Sequence, residues 1–280
     1  MKPAKFDYLR PNTLEAALAA LASSESMAKP ISGGQSLGPM MNMRLAQPDQ
    51  LIDLSTLDAL NVCESTVDTV TFGANTTHAQ IEDGHVPDPS GGLMRSVASA
   101  IAYRAIRNRG TLGGSLAHAD PAADWINLMP LLQANLLVAS AKGTRQISAQ
   151  NWMLGAFTPS LNEDEILVSV TIPKLSTQAR RSYYKINRKP GEFSQATAGF
   201  VQDPQRQICA AVIGAIDGAP HYLANAHNLL TELQDHGLGP LAHAALNEAG
   251  LKLGEHSFDL HGVALLRAAA QLKSDHGAMQ

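Results

Sequence analysis

Leu14, Leu18 and Leu21 recur at three- and four-residue intervals, the spacing that lines one face of an α-helix. Asn12, followed three residues later by Glu15, reads as a capping box at that helix's start. The apolar stretch at 6–9 reads as an edge strand stopped by Pro11, and residues 51–54 read as a second strand. Together these form a compact β-α-β-type unit ending near residue 57.

Further along, polar and apolar residues alternate over 67–72, the pattern of a half-buried strand. Thr76 and Thr77 with Gln80 mark a helix start, and residues 93–106 read as one helix. Pro121 opens an apolar run over 122–132, read as a helix with Pro at its first position. Residues 136–139 and 145–148 are expected as strands around a Lys142-Gly143 turn. The β-branched run at 165–173 is the clearest strand, and a boundary is expected near 174–176. Beyond it, three antiparallel strands (182–186, 196–202, 207–216) precede helices over 224–233, 241–251 and 260–272, with a frayed tail from 274.

Composition narrows the class. The 280 residues are 45% hydrophobic and 16% charged, with a net charge of −4, which suits a globular protein and argues against nucleic acid as a partner. No apolar run approaches the about 18 residues of a membrane span. Residues 1–7 lack the apolar centre of a signal peptide, so the cytoplasm is the expected compartment. The only cysteines, Cys63 and Cys209, cannot ligate a four-cysteine iron–sulfur cluster. No histidine shows metal-ligand spacing, and no metal site is expected.

Two glycine-pair segments carry the candidate chemistry. One is Ser32-Gly33-Gly34-Gln35-Ser36-Leu37-Gly38-Pro39; the other is Thr111-Leu112-Gly113-Gly114-Ser115-Leu116-Ala117-His118-Ala119-Asp120-Pro121, followed by Asp124. Glycine backbones can approach a ligand closely, and successive amides in a turn form a concave anion site. Two such loops suit a ligand with a diphosphate. Neither has the Rossmann spacing, and neither has the lysine of a P-loop.

Together these segments resemble the FAD-binding medium subunit of the molybdenum hydroxylases, the family of carbon monoxide dehydrogenase and xanthine dehydrogenase. That family's hallmarks are A-G-G-(H/Q)-S-L-x-P and T-(I/L)-G-G-(N/S)-(I/L)-A-x-A-D-P; here Ser32 replaces the alanine. A third stretch, 183–193, resembles the family's Y-x-K-x-x-R-x-x-x-D-(F/Y), with Glu192 in place of the usual aspartate. The resemblance implies an α+β fold: a two-part FAD-binding domain of the PCMH/vanillyl-alcohol-oxidase-like type (1–57 and 58–176) plus a C-terminal small antiparallel sheet with helices (177–280).

The same resemblance implies which residues meet the cofactor. Ser32, Gly33, Gly34, Gln35, Ser36 and Leu37 would offer amides to the diphosphate, and Thr111, Gly113, Gly114 and Ser115 would grip its other side. Asp120 and Asp124 would be polar handles, Asp124 at the ribose and adenine end. Leu116, Ala117 and Leu167 would cover the flavin ring. Lys185 would approach its carbonyl edge, with Glu192 nearby. His118 reads as a spacer, Met40, Met41 and Met43 as packing, and no side chain is expected to act as acid or base.

The implied role is electron transfer in a heterotrimer. A large molybdopterin-binding subunit would hydroxylate the substrate, and a small 2Fe–2S subunit would carry electrons to FAD. The acceptor would be NAD, oxygen, a quinone or another oxidant. A self-contained FAD oxidoreductase and a non-catalytic assembly subunit remain alternatives.

Overall fold

The computed structural model describes residues 2–24 and 27–274. Its first layer is a sheet of β1 (Asp7–Leu9), β2 (Ala28–Ile31) and β3 (Gln50–Asp53), with α1 (Leu14–Ser23) and α2 (Leu37–Asn42) in the connections. The order is β1-β3-β2 and both pairings are parallel. Helix α1 buries Ala17, Leu18 and Leu21, as its spacing requires. Its cap is Thr13 rather than Asn12: the Thr13 hydroxyl accepts the Ala16 amide at 3.1 Å, leaving Glu15 in the first turn, where a carboxylate favours the helix dipole.

The second layer contains β4 (Cys63–Ser65), β5 (Thr69–Gly73), β6 (Asn135–Ser140), β7 (Gly143–Ser148) and β10 (Ile166–Pro173), ordered β4-β5-β10-β6-β7 and antiparallel. A small ribbon, β8 (Met153–Gly155) and β9 (Thr158–Pro159), stands apart from it. The helices between β5 and β6 are α3 (His78–Glu82), α4 (Leu93–Ser99), α5 (Arg104–Arg107), α6 (Leu112–His118) and α7 (Asp124–Leu131). The Thr77–Gln80 capping box forms at α3 as its spacing indicates.

Three expectations in this stretch are corrected. The single helix over 93–106 is two helices: Ala102 takes φ +43°, and Arg107 donates to the carbonyls of Ile101 (2.9 Å) and Ala102 (3.0 Å). The second glycine pair is not a loop, because Gly113 and Gly114 lie inside α6 with Thr111 as its cap. Pro121 lies in a turn before α7, not at its first position; the Asp120 carboxylate accepts the Ala122 amide at 2.9 Å and holds that turn.

The third layer is β11 (Arg180–Ile186), β12 (Ala196–Asp203), β13 (Ile208–Gly214) and β14 (His221–Leu223), antiparallel in that order. Helices α8 (His227–Asp235), α9 (Pro240–Glu248) and α10 (His256–Ser274) follow it. The three expected strands become four, because β14 is only three residues long and half-buried, too short to show alternation. Of the expected tail, 275–280 lie outside the described residues; Ser274 ends α10.

The core crosses these layers. Phe72, Trp125, Trp152 and Val170 belong to a cluster that also takes in Val201, Ala210 and Val212 of the third sheet. A second cluster joins Phe200 and Ile213 to Leu229 and Leu265 of the last helices. Beneath α1, Ala139 and Ile166 of the second sheet pack with Leu18 and Ile52. Among the described residues no helix is long and apolar enough to cross a membrane.

Candidate cofactor site

The two glycine segments meet. A Cβ on Gly33 would fall 1.9 Å from the Arg109 carbonyl oxygen, so only glycine permits this backbone contact. Gly34 takes φ +70°, a conformation glycine reaches without strain. The Ser32 hydroxyl donates to Asn75 Oδ1 at 2.6 Å, and Asn75 Nδ2 donates to the Leu54 carbonyl at 2.8 Å. The serine that departs from the family's alanine thus ties the segment to its neighbours.

The amides of the two segments differ. Those of Leu112, Gly113 and Gly114 are taken by the Thr76 carbonyl, the Ala74 carbonyl and the Thr111 hydroxyl. Gly113 is there for close packing, since its Cβ would lie 2.5 Å from that of Ala74. The expectation that this pair presents free amides is therefore corrected. The amides of Gly33, Gly34, Gln35, Ser36 and Leu37, by contrast, donate to no backbone or side-chain acceptor among the described residues.

Both segments border one cleft of about 1180 Å³. Ser32 to Leu37, Thr111, Gly113, Gly114, Ser115, Ala117, Asp120, Asp124, Leu167, Lys185 and Glu192 line it. Leu116 does not: it is 1% exposed and packs in the core, where its carbonyl accepts the Trp152 indole at 2.8 Å. Of the three methionines, Met41 alone is buried; Met40 lines the cleft and Met43 is exposed.

Asp124 and Lys185 prove to be one unit. Lys185 Nζ lies 2.8 Å from Asp124 Oδ2 and also donates to the Ala100 carbonyl at 3.0 Å. The Tyr183 hydroxyl donates to the other Asp124 oxygen at 3.2 Å. Burial pushes the Asp124 carboxyl upward, and the bonds from Lys185 and Tyr183 act against that shift. The placement of these two residues at opposite ends of a cofactor is thereby corrected. Glu192 stands at the rim between Arg188 (3.1 Å) and Lys189 (3.4 Å).

The cleft has further walls that the sequence reading passed over. His78 and Ile101 line it, as does Phe157, an exposed aromatic whose φ of +56° is unusual for a bulky residue. Phe157 lies against His118 in a tilted arrangement, their ring centres 5.2 Å apart. No periodicity marks these positions; His78 alone has a signal, standing directly after a capping residue.

Residues 4–175 match the family described as the FAD binding domain in molybdopterin dehydrogenase. The chain belongs to that family. The nicotine 6-hydroxylase medium subunit of Paenarthrobacter nicotinovorans is 35% identical over 272 residues, covering 95% of this chain and 93% of that one. The carbon monoxide dehydrogenase medium chain of Hydrogenophaga pseudoflava is 34% identical over 71% of this chain and 69% of its own length. Among solved structures, the carbon monoxide dehydrogenase of Hydrogenophaga pseudoflava that lacks the Mo-pyranopterin moiety superposes with a TM-score of 0.84, 26% identity, and coverage of 98% and 99%. Quinoline 2-oxidoreductase from Pseudomonas putida 86 gives 0.81 at 27% identity, covering 97% and 98%. The molybdopterin dehydrogenase family is one of oxidoreductases, and this chain carries its FAD-binding medium-subunit fold.

The residues present fit the family's dinucleotide. Five consecutive amides without protein acceptors suit a diphosphate, and the cleft's lining includes apolar Leu21 and Met27 as well as the Asp124–Lys185 pair.

Proposed function

We propose that this chain is the FAD-carrying electron-transfer subunit of a heteromeric molybdopterin-dependent hydroxylase or dehydrogenase. The observation that carries the reading is the row of unspent amides from Gly33 to Leu37 at the floor of the cleft. These amides bind the diphosphate, with Ser32 anchoring their loop to Asn75. Thr111, Gly113, Gly114 and Ser115 support the cradle from α6, and Asp120 shapes the turn that follows. Ala117 and Leu167 cover the ring, Lys185 with Asp124 faces its polar edge, and Glu192 stands at the mouth. The adenosine end then lies toward Leu21, Met27 and Gln47.

The chain divides at 57/58 and 176/177, one main sheet to each part, with the first two parts holding the dinucleotide and the third closing over the ring. When bound, FAD would supply the redox chemistry of this subunit, taking electrons from 2Fe–2S centres of a small partner subunit and passing them to an external acceptor such as NAD, oxygen or a quinone. Two cysteines in this sequence cannot hold a four-cysteine cluster, so the 2Fe–2S centres belong to the small partner; substrate oxidation belongs to a large molybdopterin-binding partner. The assembly works in the cytoplasm.

Acid treatment of the purified chain is expected to release about one FAD per chain. Anaerobic addition of the organic substrate should bleach that flavin only when both partner subunits are present. Bleaching of the lone chain at the full complex's rate would replace this reading with a self-contained oxidoreductase.

A further inference from the structure

His78 is almost wholly buried at the start of α3, yet its ring lines the cleft. The indole Nε1–H of Trp125, itself fully buried on α7, donates to His78 Nδ1 at 3.0 Å. An indole nitrogen can only donate, so Nδ1 is the unprotonated nitrogen and the ring's proton sits on Nε2. Burial, aided by the Arg107 guanidinium, lowers the His78 pKa to about 4, so the ring is neutral at pH 7.

That leaves Nε2–H as a fixed donor; the ring's one hydrogen bond among the described residues is the Trp125 bond at Nδ1. Its surroundings place it beside the diphosphate cradle. A Cβ on Gly110 would fall 2.9 Å from His78 Nε2, and the Gly110 Cα lies 3.1 Å from where a Cβ on Gly33 would stand. The charged groups near it are already committed. Arg107 of α5 is engaged by Glu82 of α3 and by the carbonyls of Ile101 and Ala102. A neutral donor adds a directed bond there without introducing a charge that would need a partner.

We infer that His78 binds the diphosphate half of the dinucleotide through Nε2–H, and that Trp125 is the positioning residue that locks the tautomer. This role rests on the FAD reading of the cleft.

The test uses the full chain labelled with ¹⁵N-histidine. In the cofactor-free protein, long-range ¹H–¹⁵N spectra should show His78 as the Nε2–H tautomer, unchanged between pH 8 and 6. Trp125→Phe should show a mixture of tautomers. FAD should bind about ten- to a hundredfold more weakly to His78→Phe and to Trp125→Phe, the range of one lost hydrogen bond to a charged acceptor. His78→Gln, whose amide nitrogen restores a donor, should recover most of that loss. ADP, competing against FAD, should lose affinity to the same degree, because it contains the diphosphate and not the flavin.

An Nδ1–H tautomer in the wild type would overturn the inference. So would wild-type FAD affinity in a folded His78→Phe, or a loss for FAD that ADP does not share. A wild-type chain that shows the tautomer lock but binds no FAD would instead overturn the FAD reading, and with it this role for His78.

Discussion

Asp124 and Lys185 would each be costly to bury alone, and the lysine side chain is only 12% exposed. Removing either partner strands the other. Asp124→Ala and Lys185→Met are each expected to destabilise the folded chain by about 3 kcal/mol, while the double variant loses less than their sum. Urea unfolding of all four proteins gives the coupling energy directly. Losses that simply add would mean the 2.8 Å contact contributes nothing. The same pair shows how residue identity can be read from sequence when position cannot. The third family stretch singled out Lys185 and the second singled out Asp124, but nothing in either reports that Lys185 of β11 reaches Asp124 at the start of α7. That proximity arises from packing between residues 61 apart in the chain.

At the scale of elements, the break between α4 and α5 is set by one guanidinium. Arg107 grips both oxygens of Glu82 (2.8 and 2.9 Å) while capping two carbonyls of the break, one of them at Ile101 on the cleft wall. Arg107→Met is expected to cost roughly 3 kcal/mol of stability and to weaken FAD, because the wall loosens with the break. Arg107→Lys should recover little, since an ammonium cannot serve four acceptors in the plane of a fork. Thermal melts and FAD titrations of both variants check this; full recovery by lysine would refute the geometric part. Elements with a clear period, such as α1 and β10, were legible from the chain alone, as was the cap at Thr77. The broken helix was not, because the bonds of Arg107 decide it, nor were the ribbon β8–β9 and β14, whose strands are only two or three residues long. Helix α6 was hidden for a different reason. Its glycine pair looks like punctuation, yet Thr111 caps a helix there and Gly113 is required by contact with Ala74.

For the molecule as a whole, the boundary near 176 separates sheets but not cores. Helix α7 packs against β12 and β13, and the second-layer core includes Val201, Ala210 and Val212. A fragment ending at residue 176 is therefore expected to leave that apolar face uncovered and to lose the Lys185 wall of the cleft. It should bind a hydrophobic dye strongly, unfold without a sharp transition, and retain no FAD. A fragment with a cooperative melt and full FAD content would show the third part to be dispensable for cofactor binding.

The contact of Gly33 with the Arg109 carbonyl carries a consequence for synthesis. A ribosome makes the chain in order, so the first glycine segment has emerged long before its counterpart exists. The cradle cannot close until residue 109 is free, and the wall at 185 comes later still. The cofactor is therefore captured late, by a chain most of which has already been made. Before that moment the open amides face water, and the nascent chain depends on its early helices and sheets to hold the first segment in waiting.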